Sequence, residues 1–231
     1  MGSIFKAYDI RGVYGRDLDE ALAEKIGRAF VTFLKCRKVV VGQDMRPHSN
    51  PLFDALARGI TMQGADVIRL GLCSTPMTYN AINFLKADSG IMITASHNPG
   101  EWNGFKLCRD RAVPISGQTG IKDIEKIVLS SGFAPVAAKP GAISSFDIEK
   151  EYVRHVGALF SLGHPVRIAA DFANAMGICE ALAIKPMVEI DPLFDTLDGT
   201  FPNHEANPLK VETLRALQAR VRSGKYAFGV A

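Results

Sequence analysis

Four short stretches of this chain carry residue types that could do chemistry together. The first is Thr94-Ala95-Ser96-His97-Asn98-Pro99, which follows the apolar run Gly90-Ile91-Met92-Ile93. An apolar strand that runs into a polar turn sets a hydroxyl at a strand end, where open α/β sheets collect ligands. Ser96 is the candidate nucleophile or phosphate carrier, and Pro99 stiffens its turn. His97 and Asn98 can hydrogen-bond an anion or a reacting oxygen. The second stretch is Tyr8-Asp9-Ile10-Arg11-Gly12, expected to end the first strand; Arg11 there offers a permanent planar fork of donors to a phosphate. Its plain alternative is a surface arginine in a turn. The third is Gly42-Gln43-Asp44-Met45-Arg46, in which Asp44 and Arg46 can pair across a loop, more as an ion pair that shapes the turn than as catalysts. The fourth is Asn103-Gly104-Phe105-Lys106, on a strand expected to return beside the first stretch. Lys106 there can move protons if partly desolvated, or can be an exposed amine guarding a sheet edge.

The elements that must position these residues alternate between strand and helix. Asp17-Leu18-Asp19-Glu20 opens a helix in the manner of a capping box, followed by Leu22, Ile26, Phe30 and Phe33 at helical spacing. Lys38 to Gly42 reads as a buried strand, then Ser49 as a cap with Pro51 in the first turn of the next helix, ending near Gly64. Val67 to Leu70 is a strand, Thr75 to about Leu85 a helix, Gly90 to Thr94 and Gly104 to Cys108 strands, and Ile121 to Leu129 a helix. Ser130 to Ser145 is rich in Ser, Gly, Ala and Pro and reads as a linker. Beyond it Phe146, Ile148, Tyr152, Val153, Val156 and Phe160 make one apolar helix face. Strands follow at Val166 to Ala170, Pro186 to Ile190 and Tyr226 to Ala231, with a helix capped by Asn207 before the last. The pattern predicts a layered α/β/α domain with a mixed, mostly parallel sheet over 1–135, a linker at 136–145, and a partial second α/β domain of similar type over 146–231. The final strand, with no exit loop after it, reads as the edge of an incomplete polypeptide.

The bulk numbers exclude several classes. The chain has 231 residues, 47% hydrophobic and 22% charged, enough apolar material for real cores. A net charge of +3 with scattered Lys and Arg argues against nucleic acid and suits a small anionic substrate. Cys36, Cys73, Cys108 and Cys179 form no CxxC pair, so a reduced cytoplasmic setting is expected. Met1-Gly2-Ser3-Ile4 begins no signal peptide, Lys6 occupies the position where a myristoylation motif needs Ser or Thr, and no apolar run reaches membrane-spanning length. No GxGxxG follows a strand, and there is no Walker A run or GxSxG elbow.

Taken in order and spacing, the four stretches resemble the α-D-phosphohexomutase family, and the Tyr-Asp-Ile-Arg-Gly opening resembles its phosphomannomutase/phosphoglucomutase branch. The resemblance covers residues 4 to about 130 and continues more loosely over 145–231, where Asp198-Gly199-Thr200-Phe201-Pro202-Asn203-His204 also matches. It implies that Ser96 carries a phosphoryl group in the resting enzyme. Arg11 and Lys106 flank it, Lys106 as acid/base partner, His97 and Asn98 touch phosphoryl or sugar oxygens, and Tyr8 lines the cleft. Asp44, Arg46 and Asn103 are structural neighbours. The implied reaction moves phosphate between the 1- and 6-positions of glucose or mannose phosphates through a bisphosphorylated sugar, with Mg²⁺ on the phosphoryl oxygen of Ser96. The family completes that metal site with an Asp-Gly-Asp-x-Asp loop, which this sequence lacks, and its turn Asp171 to Gly177 is poorer in glycine than the family's usual version. The expectation is therefore a phosphoserine half-site, poorly active alone, with apolar surface covered by a second copy or a complementary chain. Two other readings stay open: a non-catalytic sugar-phosphate binding module, and a serine hydrolase using Ser96 with one of His48, His155, His164 or His204.

Overall fold

The computed structural model describes residues 3–159 and 161–231. Met1, Gly2 and Phe160, the last expected on an apolar helix face, lie outside the described residues. Contacts divide the chain into two units, 1–95 with 101–147, and 96–100 with 148–231.

The first unit is organised by two faces of one sheet. Its strands are β1 (Ile10–Val13), β2 (Lys38–Gln43), β3 (Asp66–Leu72), β4 (Ser89–Ile93), β5 (Trp102–Arg109) and β6 (Ile143–Ser145), in the spatial order β1-β5-β4-β2-β3-β6. β4, β2, β3 and β6 run parallel to their neighbours, whereas β5 is antiparallel to both β4 and β1. The sheet is mixed and mostly parallel, as the alternation predicts. Period-two alternation decides what each face buries. Val39, Val41, Ile91, Ile93, Phe105 and Leu107 join one core with residues of α1 (Glu20–Leu34), α2 (Ser49–Met62) and α4 (Lys122–Ser130). Gly90 and Met92 face the other way, toward α3 (Thr75–Phe84); a Cβ on Gly90 would meet the Ile82 side chain at 2.4 Å. Helices therefore cover both faces. α1 and α2 approach so closely that a Cβ on Gly59 would lie 2.0 Å from the Glu24 carbonyl.

Local chemistry sets the helix starts, at places slightly different from those expected. Asp19 caps α1 by accepting from the Leu22 N–H at 2.8 Å. Asp17 is engaged elsewhere, by Arg16 and the Val13 N–H, which hold its carboxyl down at about 2. α2 starts at Ser49 rather than after it; the Ser49 hydroxyl donates to Asp44 at 2.8 Å and accepts from Asn103 at 3.0 Å, so it serves the buried network instead of a helix N–H. The segment expected as a linker carries its own pairing: Ile143–Ser145 form β6 beside β3, and Ala137 and Gly141 donate backbone N–H groups to Met62 and Thr61.

In the second unit, β7 (Val166–Asp171), α6 (Gly177–Ile184), β8 (Val188–Leu193), α7 (Arg215–Arg222) and β9 (Phe228–Val230) build a parallel sheet in the order β8-β7-β9. The central β7 buries Ile168, Ala169 and Ala170. α5 (Glu149–Gly157) packs on α6, where the Tyr152 hydroxyl donates to Glu180. Asn207 does not cap a helix; its side chain accepts from the Leu209 N–H in a local turn, a 3₁₀ turn covers Val211–Leu214, and α7 begins only at Arg215. A short polar side chain that closes a turn two residues on competes with helix initiation. Among the described residues no helix is long and apolar enough to cross a membrane.

Candidate active site

β1 and β5 assemble a charge cluster by register. Ile10 pairs with Phe105 and Arg11 with Gly104. Continuing that antiparallel register by one pair sets Asp9 across from Lys106, and the two-residue period keeps Asp9 and Arg11 on one face. The Asp9 carboxylate accordingly lies 3.2 Å from Arg11 Nε and 3.9 Å from Lys106 Nζ. Its side chain is 11% exposed, against 32% for Arg11 and 28% for Lys106. Two cations around one shielded anion leave a net positive, partly desolvated face, suited to a phosphate. Asp9 Oδ1 is buried without an aligned hydrogen bond, so its hold on Arg11 is chiefly coulombic. Arg11 lies inside β1 rather than at a strand end, since the strand begins at Ile10, and Tyr8 projects with 81% of its surface exposed. Sequence reasoning passed over Asp9. The signal that could have found it is an acid two residues before Arg11 in a strand.

Gly104 is what allows the close approach of β1. A Cβ there would sit 2.1 Å from the Ile10 carbonyl and 2.8 Å from the Arg11 Cβ. Gly104→Val is expected to push β1 off β5 and destabilise the unit by about 1–3 kcal/mol or more, the usual cost of overpacking. Chemical denaturation checks this; an unchanged midpoint would show that the strands can part without cost.

A buried network fixes the turn after β2. Asp44 accepts from the Arg46 N–H at 3.1 Å, from Arg46 Nε at 3.1 Å and from the Ser49 hydroxyl at 2.8 Å. Arg46, 0% exposed in its side chain, donates onward to the Trp102 carbonyl at 3.0 Å. Burial pushes its guanidinium down, and Asp44 opposes that. Asn103 donates to Ser49 at 3.0 Å, contacts His48 Nδ1 at 2.8 Å, and accepts from the Gly104 N–H at 2.8 Å. The His48 ring stacks on Tyr14, whose hydroxyl is pushed up to about 12 chiefly by its hydrogen bond to Glu20. Asp44, Arg46 and Asn103 thus brace the β2–α2 turn against β5 rather than present groups to solvent.

The Ser96 loop leaves β4 after Ile93 and returns at Trp102, its base pinned by the Thr94 N–H on the Gly104 carbonyl at 3.0 Å. Thr94 and Ala95 are buried, Ser96 and His97 exposed, and Asn98 half-buried. Ser96 holds φ at 58°, a left-handed conformation that a residue with a side chain adopts at a cost. Its hydroxyl lies 3.3 Å from His97 Nδ1. Residues 96–100 group with the second unit, where a Cβ on Gly100 would lie 3.0 Å from the Gly199 carbonyl and 3.7 Å from the Phe201 ring. In the same unit His204 contacts the carboxylate of Asp171, at the end of β7. His204 entered the sequence reading as the end of the matching stretch Asp198 to His204 and as one of four spare histidines, with no role of its own.

No disulfide joins the cysteines: Cys36, Cys73 and Cys108 are buried and Cys179 is half-buried. Burial pushes the Cys36 and Cys108 thiols up to about 11, so neither supplies a ready thiolate. Among the described residues no three His, Cys, Asp or Glu side chains converge to hold a metal.

Comparison with known proteins fits this geometry. Residues 2–134 match the model of phosphoglucomutase/phosphomannomutase, alpha/beta/alpha domain I. A phosphomannomutase of Escherichia coli is 40% identical over 239 residues, covering 98% of this chain and 52% of its own length. A phosphoglucomutase of Neisseria meningitidis serogroup B is 35% identical over 237 residues, covering 99% of this chain and 50% of its own. The crystal structure of a phosphoglucomutase/phosphomannomutase family protein from Burkholderia thailandensis superposes with a TM-score of 0.90 at 33% identity, over 98% of this chain and 51% of that one. The chain thus spans about half the length of these relatives. With more than half of its residues matched by that domain model, and the same alternation of strand and helix, the chain belongs to the phosphoglucomutase/phosphomannomutase family.

Proposed function

We propose that this chain carries the phosphoserine part of a phosphohexomutase, an intramolecular phosphotransferase that interconverts hexose 1- and 6-phosphates. The observation that supports it most is the exposed Ser96 hydroxyl, at a left-handed φ of 58°, within the matched residues. Lys106 and Arg11, held by Asp9, lie on strands one and two places across the sheet from β4, respectively. Family membership favours neither the hydrolase nor the binding-module alternative.

In this reading Ser96 Oγ holds a phosphoryl group. A hexose monophosphate binds with a free hydroxyl in line with it. The P–O bond to Ser96 breaks as the P–O bond to the sugar forms, and the sugar hydroxyl proton passes by way of Lys106 to the departing Ser96 oxygen. The bisphosphorylated sugar turns over, and the same steps in reverse return its other phosphate to Ser96. Phosphoryl transfer asks mainly for positioning and charge neutralisation, which Arg11 and Lys106 provide. Tyr8, His97 and Asn98 are the proposed sugar and phosphoryl contacts. The resemblance implies Mg²⁺, yet the described residues offer no converging set of carboxylates, so they do not by themselves fit that ion. Glucose and mannose phosphates are both proposed substrates, and a cytoplasmic setting belongs to the same reading.

The test is the intact mass of the purified chain before and after incubation with glucose 1,6-bisphosphate, in buffer with and without Mg²⁺. A gain of about 80 Da, the mass of one phosphoryl group, mapped to the Ser96 peptide, is the expected result. A folded chain that never gains it would overturn the proposal.

A further inference from the structure

The support of the Ser96 loop can be traced residue by residue inside the second unit. Gly100 rests on Gly199 and Phe201. That segment is a tight turn: Asp198 accepts from the Thr200 N–H at 2.9 Å and the Thr200 hydroxyl at 2.7 Å, and the Phe201 N–H donates to the Asp198 carbonyl at 3.1 Å. The turn is tied in its place by the residues that follow β7. The Asn174 carbonyl accepts from the Asp198 N–H at 2.9 Å, and the Asn174 side chain donates to the Thr196 carbonyl at 2.8 Å and accepts from Asn203 at 2.7 Å. Ala173 and Asn174 hold φ of 47° and 58°, two successive left-handed residues without glycine. Strain of that kind persists only where surrounding bonds over-determine it.

The dyad Asp171–His204 closes this arrangement. The Asp171 side chain is 1% exposed and that of His204 is 18%. His204 Nε2 lies 3.2 and 3.1 Å from the two carboxylate oxygens, and Nδ1 lies 2.8 Å from the Glu205 carbonyl. Both ring nitrogens therefore face oxygen atoms of the second unit. Asp171 also accepts from the Ala173 N–H at 3.0 Å, and the Phe194 ring packs against His204. The contact of buried Asp171 with half-buried His204 thus links the end of β7 to the far end of the segment on which Gly100 rests.

We propose that Asp171 and His204 are positioning residues for the Ser96 loop, acting through the 198–204 segment. The role deepens the phosphoryl-carrier reading of Ser96 and rests on it. It assigns to this pair the task of keeping a strained hydroxyl loop in one conformation. Phosphoryl transfer needs that order, because a misplacement of about 1 Å costs rate steeply.

The experiment is backbone ¹⁵N relaxation on the 231-residue chain, comparing the original sequence with His204→Ala and His204→Gln. Order parameters at His97, Asn98 and Gly100 are expected near about 0.85 in the original chain and below about 0.6 in His204→Ala. Values in β7 and β8 should be unchanged. His204→Gln, whose amide can still donate to Asp171, is expected to recover most of the lost order. Loop order that stays high in a folded His204→Ala chain would overturn the proposal. So would an equal loss across β7 and β8, which would mark a general structural role. If His204→Ala fails to fold, Asn203→Ala cuts the link to Asn174 alone, and the same local loss is expected; a loop left rigid there overturns the proposal. Phosphoryl uptake from glucose 1,6-bisphosphate is followed in parallel. No uptake by the original chain, combined with a loop that responds to His204, would sink the phosphoryl-carrier reading while the mechanical link stood.

Discussion

Ser96→Ala is expected to abolish phosphoryl uptake altogether, to below the detection limit of intact-mass measurement, while the fold is kept. The substitution removes one exposed oxygen. Alanine meets the same steric demand as serine at φ 58°, so the backbone has no new reason to move. Stability is expected to stay within about 0.5 kcal/mol, as for other surface changes that break no special feature. Every other hydroxyl in the chain remains. A phosphoryl group that still appeared at undiminished stoichiometry would therefore lie elsewhere, and the assignment of Ser96 would be wrong. Retaining Lys106 and Arg11 in the variant separates loss of the acceptor atom from loss of the electrostatic setting.

Asp44→Ala is expected to cost the first unit about 3–5 kcal/mol, the range for removing one partner of a buried ion pair. The size follows from what is left behind. The Arg46 side chain has no exposed surface, so its charge cannot reach water once Asp44 is gone. The Arg46 N–H and the Ser49 hydroxyl lose their acceptor at the same time. Out of a total stability of about 5–15 kcal/mol, typical of domains, that is a large fraction. Urea unfolding followed by far-UV circular dichroism measures it. The double variant Asp44→Ala/Arg46→Met is expected to be more stable than Asp44→Ala alone, because the orphaned charge has gone. A double variant as unstable as the sum of its parts would refute the unpaired-charge explanation.

The strands were legible in the sequence because runs such as Val39 to Val41 and Gly90 to Ile93 are apolar on both faces, as a sheet covered by helices requires. Ser96, Arg11 and Lys106 stood out by chemical type and by their places beside those runs. Asp9 did not, because its role depends on a register that aligns residues nearly one hundred positions apart, which local spacing does not encode. β6 was hidden for a different reason: Ile143–Ser145 are exposed and polar-rich, and they pair through backbone groups that composition does not reveal. The Asp171–His204 pair joins residues 33 positions apart, with a helix and a strand between them, so local spacing does not reveal it. Helix starts slipped where a capping side chain was engaged elsewhere, as with Ser49 in the Asp44 network, or closed a turn instead, as with Asn207.

The rest for Gly100 is made at Gly199 and Phe201, on the order of one hundred residues later in the chain. At ribosomal speeds of about 5–20 residues per second, that surface emerges roughly 5–20 s after the loop itself. For that interval a nascent polypeptide displays this loop without the Gly199 and Phe201 surface. The contact at Gly100 is therefore a late event of biosynthesis, made well after the strands from which the loop springs have been synthesised.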